Sequence, residues 1–343
     1  MPHDSPAVKA ATAIERGPTS LASTDMQRVP LVDLAHWADG SDRSGVATAV
    51  DEALSSVGFF LVAGHGIDPA LTAATRGLFA EFFALPAADK SAVRMPHLGM
   101  AGWAPMGMEA NGYSFGHETP PDMKESYRLG AHVLPGRVAL RGGNVWPAAP
   151  DGFRDTVTRY IAEVDRLHME LLRVCATAAG LDDVEFFARC ATRNDNTLNV
   201  NWYPPLHHVG KPLPHQYRIG PHTDFGTLTV LHREPGSSAL EVQLPDDAWV
   251  HAPVVDDTFT INGGDMLAHW SSGRWRSAIH RMLPPTGAAA ERSLLSLVYF
   301  CEPDPETMIT PLGGGTAVNA GDYLRSKIEA ITMSVAPPGT TPD

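Results

Sequence analysis

The second half of the sequence is a series of short apolar runs, and Gly, Pro and Asp turns separate each run from the next. From residue 197 onward the runs are TLNVNWYPP, TLTVLHRE, ALEVQL, TFTINGGDML and SLLSLVYF. Regularly spaced short strands with turn residues between them are typical of a β-sandwich or barrel. The sequence therefore predicts a mainly β fold, with helices packed on the outside of the β core.

Helical periodicity dominates the first half of the chain. The segments VATAVDEALSSVG and LTAATRGLFAEFFALPAADK space their apolar residues as amphipathic helices do. Residues 153–180 carry a longer stripe with i, i+3 and i+4 spacing, which predicts a long helix. Residues 95–146 are rich in Gly, Pro, Met and aromatic residues, and we predict long irregular loops there.

These patterns predict a single domain with an extension at each end. We expect a mobile N-terminal leader because the first residues are rich in Pro, Ser, Thr and Ala. No sequence repeat and no clear linker divides the remainder. The predicted boundaries are 1–27 for the leader, 28–310 for the domain (28–190 helix-rich, 191–310 β core) and 311–343 for a C-terminal extension.

Composition narrows the class of partner. The formal net charge of −13 argues against nucleic acid and anionic membrane surfaces, because both favour basic proteins. The 3 cysteines are widely spaced, which indicates buried thiols in a reducing cytoplasm and not a disulfide framework. No apolar run is long enough to cross a membrane, and the N-terminus lacks the apolar core of a signal peptide. We expect a cytoplasmic protein, a monomer or weak homo-oligomer, with a small-molecule substrate.

A histidine and an aspartate two residues apart, His222 and Asp224, precede one of the predicted strands. Side chains at i and i+2 of a strand share a face, so both could point at one metal ion. His280, beside another predicted strand, offers a third ligand. Two histidines and one carboxylate form the facial triad of non-haem Fe(II) oxygenases. The alternative is two polar residues at the mouth of a strand, because an isolated His-x-Asp is common.

Several ordered motifs resemble those of the isopenicillin N synthase-like Fe(II)/2-oxoglutarate-dependent dioxygenases. The resemblance covers roughly residues 29–305. It rests on VPLVDL, GFFLVAGHGI, FFALPAADK, NVNWYPP, HTDFGTLTVL and INGGDMLAHWSSGRWRSAIHR. The resemblance implies a distorted double-stranded β-helix (jelly roll, cupin-like) with Fe(II) held by His222, Asp224 and His280. It also implies 2-oxoglutarate as co-substrate, O2 as oxidant and no catalytic side chain beyond the metal site.

The co-substrate motifs of that family match only in part. Asn201 and Tyr203 match its Asn-x-Tyr pair, which lies beside 2-oxoglutarate. The family binds the far carboxylate of 2-oxoglutarate with an Arg-x-Ser, which here falls on Leu294-Leu295-Ser296. Arg292, two residues earlier, would share a strand face with Ser296. Arg292 is thus the predicted anchor, and the alternative is a surface arginine at the end of a loop.

The resemblance implies an oxygenase that hydroxylates, desaturates or cyclises a small organic molecule, and we expect a role in specialised metabolism. Two alternatives remain open: an oxidase of the same fold that uses no 2-oxoglutarate, and a non-catalytic metal-binding sensor. The family's substrate often lies under long loops. The candidate substrate residues are therefore Trp103, Met108, Tyr113 and Phe115, each of which could equally serve in packing.

Overall fold

Two β-sheets enclose the centre of the molecule. The computed structural model describes residues 28–97, 100–112, 119–134, 143–193, 195–234 and 239–335. The strands are β1 (Leu31–Asp33), β2 (Phe59–Ala63), β3 (Gly102–Ala104), β4 (Glu125–Gly130), β5 (Thr197–Tyr203), β6 (Ile219–His222), β7 (Leu228–His232), β8 (Leu240–Gln243), β9 (Trp249–His251), β10 (Phe259–Gly263), β11 (His280–Met282), β12 (Leu294–Cys301), β13 (Met308–Ile309) and β14 (Val318–Asn319). The larger sheet has the order β1-β2-β10-β7-β12-β5-β4-β3, and the smaller has the order β6-β11-β8-β9.

Helices cover the outer face of the larger sheet. The helices of the described residues are α1 (Ala35–Ala38), α2 (Arg43–Ser56), α3 (Pro69–Ala84), α4 (Ala87–Ser91), α5 (Phe153–Ala178), α6 (Phe186–Arg189), α7 (Leu206–Val209), α8 (Asp265–Trp270) and α9 (Ala320–Val335), of which α2, α3 and α5 form most of this cover. Apolar residues of α2, α3 and α5 join the outward side chains of the sheet in one buried cluster. Because α5 presents a continuous apolar stripe, it is buried along most of its length.

Alternation along β5 explains how a cavity forms on the other face. Leu198 and Val200 point outward into the helical cluster. Asn199 and Asn201 point inward and are buried, as is Ser296 on the neighbouring strand β12. Buried polar side chains are costly unless hydrogen bonds satisfy them, so a row of them indicates a functional interior and not a packed core.

The structure confirms the mainly β fold with flanking helices and the predicted helices of the first half. The prediction of irregular loops over 95–146 is wrong in part, because β3 and β4 lie there and extend the larger sheet. The predicted leader over 1–27 lies outside the described residues. The single-domain boundaries stay a prediction, although β1 and β2 from the helix-rich part join the same sheet as the β core.

The described parts of the chain contain no helix long and apolar enough to span a membrane. In the same parts, the cysteines are free thiols, and Cys175 and Cys301 are buried.

Candidate active site

Three potential metal ligands converge at one end of the smaller sheet. His222 ends β6 and His280 begins β11, and the two residues pair across the sheet. The sequence analysis expected strand alternation to direct Asp224 toward the metal. Asp224 instead lies beyond the end of β6, so alternation does not explain its direction. Its Oδ1 lies 3.7 Å from Nε2 of His222 and 3.7 Å from Nε2 of His280. The three side chains are thus arranged around one point.

Surrounding hydrogen bonds fix the orientation of each ligand. Nδ1 of His222 lies 2.8 Å from the Gly220 carbonyl, and Nδ1 of His280 lies 3.1 Å from the Ala278 carbonyl. Because a carbonyl can only accept, each Nδ1–H donates and each Nε2 presents its lone pair to the centre. A hydrogen bond from the ring nitrogen that does not bind the metal commonly orients a metal-bound histidine.

The Asp224 carboxylate is held by its other oxygen. Its Oδ2 accepts from Thr229 Oγ1 at 2.5 Å and from Asn262 Nδ2 at 2.8 Å, which leaves Oδ1 for the centre. Burial opposes ionisation of Asp224, but the two histidines and these hydrogen bonds outweigh burial and lower its pKa. Burial, followed by the neighbouring His280, lowers the pKa of His222 to about 4. The carboxylate is therefore charged and His222 neutral at pH 7, which is the form that binds a metal.

The donor set fits Fe(II). Two imidazole nitrogens and one carboxylate oxygen on one side of a metal leave the opposite positions open for other ligands. Iron held by these three residues would, together with 2-oxoglutarate and O2, provide the chemistry to oxidise an unactivated C–H bond. The chain supplies the ligands, their protonation states and an enclosed space around them.

We expect Asn262→Ala to weaken iron binding by about 10- to 100-fold, because the Asp224 carboxylate loses one of the two donors that orient it. Iron affinity of the wild type and the variant should be measured anaerobically by competition with a chelator. Asn319→Ala is a suitable control, because Asn319 lies on β14 and lines neither cavity beside the triad. An unchanged iron affinity in Asn262→Ala would contradict this role.

Two cavities meet at the triad. An inner cavity lies between the sheets, and an outer cavity opens beside it; His222 and Asp224 line both. The inner cavity is also lined by Phe59, Asn201, Tyr203, Ile219, Thr229, Leu231, Arg233, Leu240, Asn262, His280, Arg281, Met282, Ser296, Val298 and Phe300. The outer cavity is also lined by Glu109, Asn111, Lys124, Arg128, Thr197, Asn199, Asn201, Ile219, Thr223, Phe225, Phe300, Glu302, Leu324 and Ile328.

The predicted co-substrate residues separate into two groups. Asn201, Tyr203 and Ser296 line the inner cavity beside the triad. Arg292 lies just before β12 begins, its side chain is exposed, and it lines neither cavity. The strand starts at Leu294, so the alternation that was expected to align Arg292 with Ser296 does not extend back to it.

The structure does not bring the described substrate candidates to either cavity. Trp103 is buried in the main core, where its Nε1 donates to Glu125 at 2.7 Å. Met108 is half-buried beside Arg94. Tyr113 and Phe115 lie outside the described residues. The sequence analysis gave packing as the alternative role of these residues, and the buried position of Trp103 fits that role.

Other cavity residues are absent from the sequence prediction. Lys124 directly precedes β4, Arg128 lies on it, and Glu109 comes earlier, all within the region interpreted as loops. The alternation of polar and apolar residues in SYRL is the signal that could have identified this strand. Leu324 and Ile328 come from α9 in the C-terminal extension, and no motif pointed to them.

Comparison with known proteins agrees with this geometry. Residues 29–149 match the N-terminal region described as non-haem dioxygenase in morphine synthesis, and residues 194–303 match the 2OG-Fe(II) oxygenase superfamily. A validamycin A dioxygenase from Streptomyces hygroscopicus subsp. limoneus is 39% identical over 320 residues, covering 89% of this chain and 87% of that protein. The chain belongs to the isopenicillin N synthase-like 2OG-Fe(II) oxygenase family.

More distant relatives match over most of their length. A homoarginine-6-hydroxylase from Oryza sativa subsp. japonica is 27% identical over 89% of this chain and 98% of that protein. A crystal structure of a full-length Neurospora crassa protein in complex with alpha-KG (2-oxoglutarate) and thymine superposes with a TM-score of 0.76. That structure is 27% identical and covers 88% of this chain and 96% of its own. This dioxygenase therefore has the jelly-roll fold and depends on Fe(II) and 2-oxoglutarate, which sets aside the oxidase and the non-catalytic sensor.

Proposed function

We propose that this dioxygenase hydroxylates a small, hydroxyl-rich ring compound in specialised metabolism, with His222, Asp224 and His280 as the iron ligands. The observation that carries the proposal is the composition of the outer cavity, which combines a polar wall, formed by β5 and the residues around β4, with several apolar side chains. The relative at 39% identity is named for validamycin A, which supports the same class of substrate.

The polar wall is a connected network. Lys124 forms an ion pair with Glu109, whose other oxygen accepts from Ser126 Oγ at 2.8 Å. The Lys124 ammonium also lies 3.3 Å from Asn201 Oδ1, which accepts from Asn199 Nδ2 at 3.0 Å. This network holds donors and acceptors in fixed positions, and such a site selects a substrate that pairs with them.

One buried acceptor in this wall lacks a partner. Asn199 Oδ1 has no hydrogen-bond partner among the described residues, and it lines the outer cavity. A buried acceptor without a donor costs free energy, so a hydroxyl or ammonium group of the substrate is its natural complement. Four apolar side chains that also line the outer cavity, Phe225, Phe300, Leu324 and Ile328, suit the C–H face of a ring.

The charges favour this class over a strongly cationic substrate such as homoarginine. Outside the triad the cavity lining holds two carboxylates, Glu109 and Glu302, and two cations, Lys124 and Arg128. Glu109 is already neutralised: burial opposes its ionisation, but Lys124 and Arg128 outweigh burial and lower its pKa to about 2. The wall therefore has no excess negative charge for a guanidinium.

The proposed overall reaction balances without a further reductant. One oxygen atom of O2 enters the substrate as the hydroxyl group, and the other enters the carboxylate of succinate as 2-oxoglutarate loses CO2. The substrate C–H bond and 2-oxoglutarate each supply two of the four electrons that reduce O2. We also propose that the enzyme is cytoplasmic and is a monomer or a weak homo-oligomer. We further propose that it binds neither nucleic acid nor membranes, which the net charge of −13 supports.

The test is a substrate panel under aerobic conditions with Fe(II) and 2-oxoglutarate. Validamycin A, homoarginine and thymine represent the compounds named for the relatives and the structural neighbour. We expect validamycin A or a similar hydroxyl-rich ring compound to give a product one oxygen atom heavier, with one succinate per product. Coupled turnover of homoarginine or thymine alone would contradict the proposed substrate class, and the His222→Ala variant controls for uncatalysed oxidation.

A further inference from the structure

The position where the family carries its carboxylate-binding arginine has no charge in this chain. Leu294 occupies it and is only 8% exposed. Its side chain packs with Tyr203 and Met282 in a small apolar cluster. The far carboxylate of 2-oxoglutarate would be left without a cationic partner there, and an unpaired carboxylate in a buried pocket is strongly unfavourable.

We infer that Arg233 supplies this missing charge and binds the far carboxylate of 2-oxoglutarate from the neighbouring strand. The inference rests on the 2-oxoglutarate dependence of the enzyme and not on the substrate class proposed above.

Strand register places Arg233 opposite the retained serine of the motif. Leu297 of β12 pairs with His232, the last residue of β7, in an antiparallel ladder. Arg233 directly follows the end of β7, and continuing the register by one residue would set it opposite Ser296, on the same face of the sheet. Thr229 and Leu231 precede Arg233 on that face, and all three line the inner cavity together with Ser296.

The distance along β7 suits a five-carbon ligand. Thr229 hydrogen-bonds the metal ligand Asp224, and Arg233 lies four residues farther along the same face. Four residues of a strand span about 13 Å between Cα atoms. The arginine side chain reaches into part of this interval, which leaves room for a chelating keto acid between the triad and the guanidinium.

The Arg233 guanidinium is buried and held by neutral groups. The residue is 5% exposed, and its nitrogens donate to the carbonyls of Ala252 at 3.1 Å and Pro253 at 2.6 Å. They also donate to Thr260 Oγ1 at 2.9 Å. These contacts fix the planar group without neutralising it, as a preorganised binding site requires.

No carboxylate among the described residues forms an ion pair with the Arg233 guanidinium. Burial lowers the pKa of Arg233 to about 10, so the group remains a cation at pH 7. A buried cation without a counter-ion is costly to the folded protein, and a bound anion would offset that cost. The contacts to Ala252, Pro253 and Thr260 use four of the five guanidinium N–H groups, which leaves one Nη1–H for the carboxylate.

The other cations near the triad are engaged or point elsewhere. Arg281 also lines the inner cavity, but it is paired with Glu241 at 2.7 Å and lies over the Trp249 ring. Lys124 is paired with Glu109 in the outer cavity. Arg218 is also buried, and its Nη2 has no hydrogen-bond partner among the described residues, but its guanidinium lies 5.4 Å from the centre of the Tyr203 ring and does not line the inner cavity.

The experiment compares two keto acids in the absence of O2 and of any other substrate. 2-Oxoglutarate and 2-oxopentanoate chelate Fe(II) through the same atoms, but 2-oxopentanoate lacks the far carboxylate. Dissociation constants for both are read from the visible absorption band of the Fe(II)–keto acid chelate. We expect Arg233→Gln to weaken 2-oxoglutarate binding by about 30-fold or more and to leave 2-oxopentanoate binding within about twofold of wild type.

Two further variants keep the result decisive. Arg233→Lys retains the charge without the planar fork, so we expect it to lose part of the preference for 2-oxoglutarate even if Arg233→Gln does not fold. Arg292→Gln is the matched control, because Arg292 is exposed, and it should keep the wild-type preference. Folded Arg233 variants that keep the full preference would overturn the inference, and loss of the preference in Arg292→Gln alone would transfer the role to Arg292.

Discussion

Replacement of His222 or His280 by alanine is expected to abolish turnover, with a loss of more than about 1,000-fold, because several kcal/mol of transition-state stabilisation depend on the metal. Each histidine presents Nε2 to the same point, at 3.7 Å from Asp224 Oδ1. Removing one leaves two protein ligands, too few to hold iron firmly for oxygen chemistry. Asp224→Ala should behave likewise, unless an added anion fills the vacant position.

The measurements are iron content after anaerobic loading and succinate release under saturating 2-oxoglutarate. His208→Ala is the matched control, because His208 is an exposed histidine in α7. It should bind iron and turn over as the wild type does. Full activity in His222→Ala or His280→Ala would remove that residue from the metal assignment.

Replacement of Lys124 by methionine is expected to lower the free energy of unfolding by about 3 kcal/mol, because it leaves a buried carboxylate without its closest partner. The Lys124 side chain is 2% exposed and that of Glu109 is 11% exposed. The double variant Glu109→Gln/Lys124→Met removes both charges and should therefore be less destabilised than Lys124→Met alone. Lys211→Met, at an exposed lysine, should change stability by less than about 0.5 kcal/mol.

The same ion pair predicts a pH dependence. The pKa of Glu109 in the folded protein is about 2, below its ordinary value of 4.5. A depressed carboxylate pKa contributes stability that is complete above the unfolded pKa and is lost as the pH falls toward the folded pKa. The wild type should therefore lose this contribution between about pH 5 and pH 2. In Lys124→Met the contribution should be smaller, which urea unfolding across that range would measure, and an equal loss in both proteins would contradict the assignment.

Local sequence indicated many of the elements, and ordered motifs indicated the three candidate metal ligands. The β-strands of the second half and the amphipathic helices of the first half follow from residue periodicity, which depends only on near neighbours. His222, Asp224 and His280 were found because an ordered series of motifs surrounds them. The structure adds the reason that Asp224 reaches the centre: a turn directs it there, and Thr229 and Asn262 hold it.

The walls of the cavities could be found only in the tertiary structure. Glu109, Lys124 and Arg128 belong to a region that the sequence presented as loops, because the Gly, Pro and aromatic residues around β4 obscured a short alternating strand. Leu324 and Ile328 reach the outer cavity from the C-terminal helix, more than 90 residues after His222 in the chain. Such contacts depend on how distant segments pack, and no local pattern encodes them.

The two arginines show the same division most clearly. The sequence favoured Arg292 because it is the nearest arginine to Ser296 along the chain, whereas the fold starts β12 only at Leu294 and leaves Arg292 exposed. Arg233 is 63 residues from Ser296 in sequence, yet both line the inner cavity, and each directly neighbours a member of the cross-strand pair Leu297–His232. By itself the sequence indicated most of the strands and helices through local periodicity, and the family motifs in it pointed to the three candidate metal ligands. Which charges reach the cavity was decided by the register between strands, because hydrogen bonding across the sheet brings together residues that are far apart in the chain.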